Sequence, residues 1–186
     1  MRALIIVDMQ NDFCTGGSVP VAGADALPHA INAYLAQHPS YQHVVATKDY
    51  HINPGEHFSD TPDYVSSWPP HCVAGTYGAD FHPDLDTSPV EAVFRKGAYS
   101  GAYSGFEGVN ETETPLLDWL LRHEVNEVDV VGVATDFCVC KTAQDAARAG
   151  FTTRVLLDLS VGSRAQSTME ALDEMRKAGV AVVLSS

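Results

Sequence analysis

The sequence predicts an α/β fold, a three-layer α-β-α sandwich with a mainly parallel sheet of about six strands. Short runs rich in β-branched residues recur along the chain, and most are continuously apolar, as in strands that are covered on both faces. Stretches with apolar residues at helical spacing lie between these runs. Strands and helices that alternate in this way are typical of a parallel sheet with helices on both faces.

Six runs are predicted to form the strands of this sheet. They are short and bounded by polar or turn-forming residues, which favours strands over helices. They cover residues 4–7, 43–47, 90–94, 128–133, 154–157 and 180–184.

Four helices are predicted between the strands, over residues 24–37, 115–123, 139–149 and 166–178. Gly150 and Gly179 each follow a helical pattern and precede a predicted strand, which is typical of a helix that ends at a glycine. The chain has no repeat, low-complexity tract or linker, so we expect one domain over residues 1–186.

Composition and charge exclude several classes of protein. The 186 residues are 45% apolar and 19% charged, which is ordinary for a globular domain and not for a disordered or collagen-like chain. The formal net charge of −13 should repel phosphate backbones and anionic membranes, so we expect neither a nucleic-acid nor a membrane partner. No apolar run approaches the roughly 18–20 residues that span a bilayer. The first apolar run ends at Asp8 without a cleavage site, which favours a buried strand in a cytoplasmic protein.

The four cysteines are expected to be free thiols. A chain of this length does not need disulfides to fold, and the spacing is not that of a small secreted scaffold. Cys72 and Cys140 are interpreted as packing residues. For Cys140 the reason is that residues two apart on a helix, such as Cys138 and Cys140, do not share a face.

One long segment, about residues 48–89, has no clear period and is expected to be an ordered, functional loop. It is rich in aromatic residues and histidines, whereas disordered segments are poor in aromatics. One carboxylate and three imidazoles, from Asp49, His51, His57 and His71, are a plausible shell for a borderline divalent cation. Each histidine taken alone could equally be solvated.

Three residues of different chemistry end or follow predicted strands, at the edge where parallel sheets bind ligands. Asp8, Lys96 and Cys138 would supply a base, a charge stabiliser and a nucleophile. Cys138 opens a predicted helix, whose N–H groups and dipole, together with a lysine, would lower the pKa of its thiol. Taken singly, these residues could also be a helix cap, a surface lysine and a buried structural cysteine.

Five motifs, in this order, resemble those of a known family. They are Ile-Val-Asp-Met-Gln-Asn-Asp-Phe at residues 6–13, Ala-Thr-Lys-Asp-Tyr-His at 46–51, Ser-Trp-Pro-Pro-His-Cys at 67–72, Phe-Arg-Lys-Gly at 94–97 and Gly-Val-Ala-Thr-Asp-Phe-Cys-Val at 132–139. Over the whole chain the sequence is similar to the isochorismatase-like cysteine hydrolases, and within them to the nicotinamidase/pyrazinamidase enzymes. That resemblance implies hydrolysis of nicotinamide, and of pyrazinamide, to the acid and ammonia.

The resemblance also implies roles for residues. Asp8, Lys96 and Cys138 would form a catalytic triad that works through a thioester. One metal ion, zinc or iron with manganese as a further option, would be held by Asp49, His51, His57 and His71. The chain would act as a monomer or a small homo-oligomer.

The substrate slot is likewise implied by the resemblance. Phe13, Trp68 and Tyr103 would line a slot for a flat aromatic ring. The peptide bond between Val133 and Ala134 would be cis, and the N–H groups of Ala134 and Cys138 would hold the oxyanion. Some close members of the family carry a histidine where this chain has Phe137, so this wall of the slot should be more apolar here.

Two other interpretations stay open at the level of sequence. One is a related enzyme on the same fold that acts on another small amide or a carbamoyl compound. The other is a metal-binding or redox-sensing protein that uses the thiols, although such a protein would need neither Asp8 nor Lys96.

Overall fold

A six-stranded sheet forms the centre of the molecule, for which a computed structural model describes residues 1–186. The strands are β1 Arg2–Val7, β2 His43–Asp49, β3 Ala92–Lys96, β4 Glu127–Val133, β5 Thr152–Val161 and β6 Ala181–Val183. Their order across the sheet is β3-β2-β1-β4-β5-β6, and every neighbouring pair is parallel. The predicted α/β fold is confirmed.

Four α-helices cover the sheet, one at each place where the sequence predicts a helix. They are α1 Leu27–Gln37, α2 Leu116–Arg122, α3 Cys140–Arg148 and α4 Ala165–Lys177. Helix α1 is preceded by a 3-10 turn over Ala24–Ala26, so the α-helix begins later than the predicted residue 24. None of the helices is both long and apolar enough to span a membrane.

Strand β1 explains why the predicted strands are continuously apolar. Ala3, Ile5 and Val7 are fully buried in the core that α2, α3 and α4 share with one face of the sheet. The residues between them, Leu4 and Ile6, are fully buried in the second core, which α1 shares with the other face. Successive side chains of a strand point to opposite faces, so both sets must be apolar in a central strand.

The strands extend beyond the apolar runs at their polar ends. Strand β2 continues to Asp49 and β3 to Lys96, and these two residues are paired across the ladder. Strand β5 runs over ten residues, Thr152–Val161, where the sequence predicts four. Main-chain ladder bonds do not require apolar side chains, so hydrophobicity alone marks only part of each strand.

The chain between β2 and β3 leaves the sheet as a long ordered loop, as predicted. It contains two 3-10 turns, Gly55–His57 and Tyr77–Ala79. Isolated bridges pair His51 with Val73 and Phe58 with Trp68, and so fold the loop back on itself. The loop is thereby held over the carboxyl edge of the sheet.

Candidate active site and metal centre

The sheet order brings three predicted site residues to one place. Asp8 directly follows β1, Lys96 ends β3, and Cys138 lies in the helical turn after β4. These strands occupy adjacent or nearly adjacent positions, with β2 between β1 and β3. The carboxyl ends of parallel strands meet at the same edge, so the three side chains converge there.

Lys96 is the centre of a fully buried group of charges. Its Nζ donates to Asp8 Oδ2 at 2.8 Å and to Asp49 Oδ1 at 2.5 Å. The same nitrogen lies 3.7 Å from Cys138 Sγ. The carboxylate of Asp8 also accepts a hydrogen bond of 2.7 Å from Thr47 Oγ1. One ammonium therefore contacts the candidate base, the candidate nucleophile and a candidate metal ligand.

The backbone at the end of β1 is arranged to aim the Asp8 carboxylate. Asp8 has φ +49°, a left-handed conformation that aspartate tolerates better than most residues. Beside it, Gly132 on β4 has φ +115°, and a Cβ there would lie 2.1 Å from the carbonyl oxygen of Val7. Only glycine permits this close approach of β4 to the end of β1.

The charges around the thiol overturn one expectation from the sequence. Complete burial raises the pKa of Cys138 well above its usual range, and the carboxylates of Asp8 and Asp49 raise it further, against the opposing effect of Lys96. The predicted lowering of this pKa is therefore wrong, because burial and two carboxylates outweigh one lysine. The Cys138 side chain is therefore a protonated thiol, and a nucleophilic role would require that proton to move first.

The two carboxylates that share Lys96 differ in their acidity. Burial raises the pKa of Asp8, and the nearby charge of Asp49 adds to this, although Lys96 acts against both. For Asp49, burial is outweighed by Lys96, His51 and His71, which hold the pKa well below its usual range. Asp8 is thus the better proton acceptor of the two, while Asp49 stays ionised.

Cys138 lies in an unusual first turn. Residues Thr135–Val139 form one π-helical turn that continues directly into α3. The N–H groups of Phe137 and Val139 both donate to the carbonyl of Ala134. The helical backbone thus begins four residues earlier than predicted, and Cys138 still sits in its first turn. The peptide bond between Val133 and Ala134 is cis.

Three histidines of the loop are oriented by backbone carbonyls. Nδ1 of His51 lies 2.6 Å from the oxygen of Gly97, Nδ1 of His57 lies 3.1 Å from that of Ser66, and Nδ1 of His71 lies 2.8 Å from that of Pro69. A carbonyl only accepts hydrogen bonds, so each Nδ1 carries the proton. Each Nε2 is then an unprotonated acceptor, which is the state of a histidine that binds a metal.

These nitrogens fit a divalent cation. The ligand atoms of His51, His57 and His71 lie within 4.8 Å of one another. Asp49 Oδ2 is 3.6 Å from Nε2 of both His51 and His71. His51 Nε2 is buried and has no hydrogen-bond partner, a costly state that an ion would relieve. Three imidazoles and one carboxylate suit zinc or iron.

A narrow aromatic slot leads to the thiol. Tyr103 stacks on Phe137 with ring centroids 5.8 Å apart, and Phe137 meets the edge of Trp68 at 5.1 Å. Trp68 Nε1 donates to the hydroxyl of Tyr103 at 3.2 Å, which fixes both rings. The lining of the slot is mostly apolar, which suits a flat ring. The predicted residues that line it are Phe13, Asp49, His57, Trp68, His71, Tyr103, Ala134, Phe137 and Cys138.

A sequence model of the isochorismatase domain matches residues 2–186. The chain belongs to the isochorismatase family. Within that family, the nicotinamidase/pyrazinamidase of Mycobacterium tuberculosis is 67% identical to this chain over 186 residues, which is 100% of both proteins.

Two solved structures share the fold over nearly their whole length. PnC1 from L. infantum, crystallised in complex with nicotinate, has a TM-score of 0.88 and 38% identity, and covers 100% of this chain and 93% of its own. The pyrazinamidase of Pyrococcus horikoshii in complex with zinc has a TM-score of 0.83 and 36% identity, with 98% of each chain covered. The likeness of this isochorismatase-family chain therefore extends across the sheet, the helices and the loop.

Several residues of the site carry no clear signal in the sequence. Gln10 is fully buried, donates to the carbonyls of Asp49 and Ala79, and accepts from the N–H of Asp49, so it holds the end of β2. Thr47 has the β-branched side chain of an ordinary strand residue. Val19, Val21 and Ser163 line the slot from distant parts of the chain. The one signal that could have found Gln10 is that it belongs to a polar stretch that follows a buried strand.

Gly97→Ala is expected to weaken metal binding by about 10–100-fold, the usual effect of disturbing a partner of a ligand histidine. A Cβ at Gly97 would lie 2.7 Å from Cε1 of His51 and displace its ring. Gly75→Ala is the matched control, because Gly75 lies in the same loop with φ +79° against +76° at Gly97, and a Cβ there meets nothing within 4 Å. Metal affinity is measured by chelator competition. Equal affinity in the two variants would exclude His51 as a ligand.

Proposed function

We propose that this chain is a metal-dependent cysteine amidohydrolase that converts nicotinamide to nicotinate and ammonia, and also hydrolyses pyrazinamide to pyrazinoate. The observation that carries the proposal is the buried contact of Lys96 with Asp8 and Cys138 at the base of a slot walled by aromatic rings. A flat ring fits such walls, and a small amide on that ring would face the thiol. The nicotinamidase relatives support the same substrate class.

Proton transfer starts the reaction. The Asp8 carboxylate lies within 4.8 Å of Cys138 Sγ and takes the thiol proton as the general base. Lys96 donates to Asp8 and lies against the sulfur, so its charge stabilises the thiolate as it forms. The elevated pKa of Asp8 makes this carboxylate a competent base that can later return the proton.

The thiolate then attacks the amide carbon, and a sulfur–carbon bond forms. The oxyanion is held by the N–H groups of Ala134 and Cys138, which belong to the turn that opens α3. When the carbon–nitrogen bond breaks, Asp8 returns its proton to the amine, and ammonia leaves a thioester on Cys138. Water, deprotonated by Asp8, attacks this thioester and releases the acid and the thiol.

The metal ligands would be Asp49, His51, His57 and His71, with one zinc or iron ion. A bound ion of this class supplies Lewis-acid chemistry and a point of attachment for a ring nitrogen. The aromatic residues that form the walls of the slot orient the substrate. Trp68 and Phe137 meet edge to face, and Tyr103 closes the slot.

All four cysteines are free thiols, which favours a reducing compartment, and we propose the cytoplasm.

The function is tested by ammonia release from nicotinamide, pyrazinamide and an N-carbamoyl compound. Purified protein should release ammonia from the two aromatic amides, lose at least nine-tenths of this activity after chelation, and regain it when zinc or iron is returned. Activity on the carbamoyl compound alone would assign a different substrate within the same chemistry. No release from any of the three with any divalent metal would contradict the proposal.

A further inference from the structure

We propose that Cys14, Asp25 and His82 form a second divalent-cation site, separate from the site at Asp49, for a borderline ion such as zinc. One ligand atom from each of the three residues lies within 4.8 Å of the other two. Sulfur, oxygen and nitrogen donors at this separation can share one ion, and water completes the tetrahedron that zinc prefers.

The three donors come from separate segments of the chain. Cys14 follows the 3-10 turn Asn11–Phe13, Asp25 lies in the turn that leads into α1, and His82 lies late in the long loop. The N–H of His82 donates to the carbonyl of Met9, so the loop is already fixed against the end of β1. An ion here would therefore fasten three segments that meet on one side of the sheet.

The donors are held in place by neighbouring groups. The N–H of Thr15 donates to both oxygens of the Asp25 carboxylate at 3.2 Å, and its hydroxyl donates to Oδ2 at 2.7 Å. Oδ1 therefore keeps a lone pair for an ion. The N–H of Asp84 donates to Nδ1 of His82 at 3.2 Å, and Asp84 Oδ2 lies 3.9 Å from the same nitrogen. Because Nδ1 accepts this N–H, Nε2 carries the proton of the neutral ring. An ion bound through Nε2 would require that proton to move to Nδ1, on the side of the ring that faces Asp84 Oδ2.

Charge at this cluster favours a cation. The Cys14 side chain is buried, whereas Asp25 is exposed and His82 is half-buried, so an ion can enter from solvent. Burial raises the pKa of the Cys14 thiol to about 11, and the Asp25 carboxylate contributes to this by repelling a thiolate. A divalent ion between thiolate and carboxylate replaces that repulsion with two attractions, and binding would release one proton from the thiol.

An ion at this second site would hold a segment of the chain in place beside the substrate slot. Cys14 is the next residue after Phe13, which lines the slot. Fixing the Cys14 sulfur would therefore fix the turn that carries the Phe13 ring. The site differs in chemistry from the one at Asp49, which offers no sulfur, and this difference allows the two to be measured separately.

Cobalt(II) is the probe that separates the two sites, because a cobalt–thiolate bond gives a near-ultraviolet charge-transfer band that histidine and carboxylate ligands do not. The titration uses metal-free Cys138→Ala protein, so that the active-site thiol cannot contribute. We expect a charge-transfer band that grows with the second equivalent of cobalt and is bleached by zinc. Cys14→Ser should abolish the band, and Cys140→Ser, which alters a thiol that faces the carbonyl of Ala171, should retain it.

Asp25→Asn tests the same site without changing a buried residue. The amide oxygen can still accept from Thr15, but the charge is lost, so cobalt affinity measured from the band should fall at least tenfold. The absorption of cobalt at the histidine site should stay unchanged. The proposal is overturned if Cys138→Ala protein shows no charge-transfer band, if the band persists in Cys14→Ser, or if Asp25→Asn binds the second ion as tightly as its parent.

Discussion

Replacing Cys138 by alanine is expected to lower kcat for amide hydrolysis by about 10⁴–10⁶-fold, the range seen when a nucleophile is removed from a hydrolase. No other thiol contacts Lys96, so nothing can take over the attack on the amide. The candidate metal ligands are on other segments, so the variant should keep its metal. Steady-state ammonia release and metal content by atomic spectrometry are measured on the same sample.

Cys140→Ala is the matched control for this variant. Cys140 is also buried and lies two residues along the chain, but its Sγ faces the carbonyl of Ala171 and not the slot. We expect its kcat to stay within about threefold of the parent, with any effect confined to thermal stability. A Cys138→Ala protein that retained a tenth of the parent activity would rule out nucleophilic attack by this residue.

Lys96→Met is expected to lower kcat/KM by at least about 10²–10³-fold, because in the proposed mechanism the charge of Lys96 stabilises the thiolate and orients Asp8. It should also destabilise the metal-free fold by about 3–5 kcal/mol, since two buried carboxylates lose their shared counter-ion. For a chain of this length that corresponds to a fall in Tm of roughly 6–20 °C. Calorimetry and ammonia release measure the two effects.

Lys141→Met is the control, because Lys141 lies in α3 with a side chain that is 49% exposed. Its Nζ makes a 3.7 Å contact to Glu174 and a long hydrogen bond of 3.4 Å to Gln144. A surface pair of this kind contributes at most about 1 kcal/mol. The Lys141 variant should therefore match the parent in both measurements. If the Lys96 variant kept its Tm and its activity, the buried charge cluster would have no role in either stability or catalysis.

The sequence was sufficient to predict the fold because β1 is apolar on both faces. Leu4 and Ile6 on one side and Ile5 on the other leave no solvated face, which is the pattern of a central parallel strand. The hydrophobicity pattern did not indicate the polar ends of the strands. Asp49 and Lys96 belong to their strands through main-chain bonds, which leave no mark on a hydrophobicity pattern.

The sequence indicated those site residues whose type is unusual for their position in the chain. It did not indicate site residues of a type that is ordinary for their position. An acid, a lysine and a cysteine at strand ends pointed to one edge of the sheet, and the structure brings Asp8, Lys96 and Cys138 together there. Thr47 binds Asp8 with a side chain that any strand could carry. The elevated pKa of Cys138 depends on burial and on two carboxylates, which only the three-dimensional arrangement reveals.

The central claim, hydrolysis through a thioester on Cys138, is tested most directly by partitioning with hydroxylamine. Hydroxylamine competes with water for a thioester after ammonia has left, so a covalent mechanism predicts nicotinohydroxamate alongside nicotinate, with a ratio that rises with hydroxylamine concentration. The Cys138→Ala variant should form neither product. Undiminished release of ammonia with nicotinate as the sole product at high hydroxylamine would mean that water attacks the amide directly, and would contradict the account.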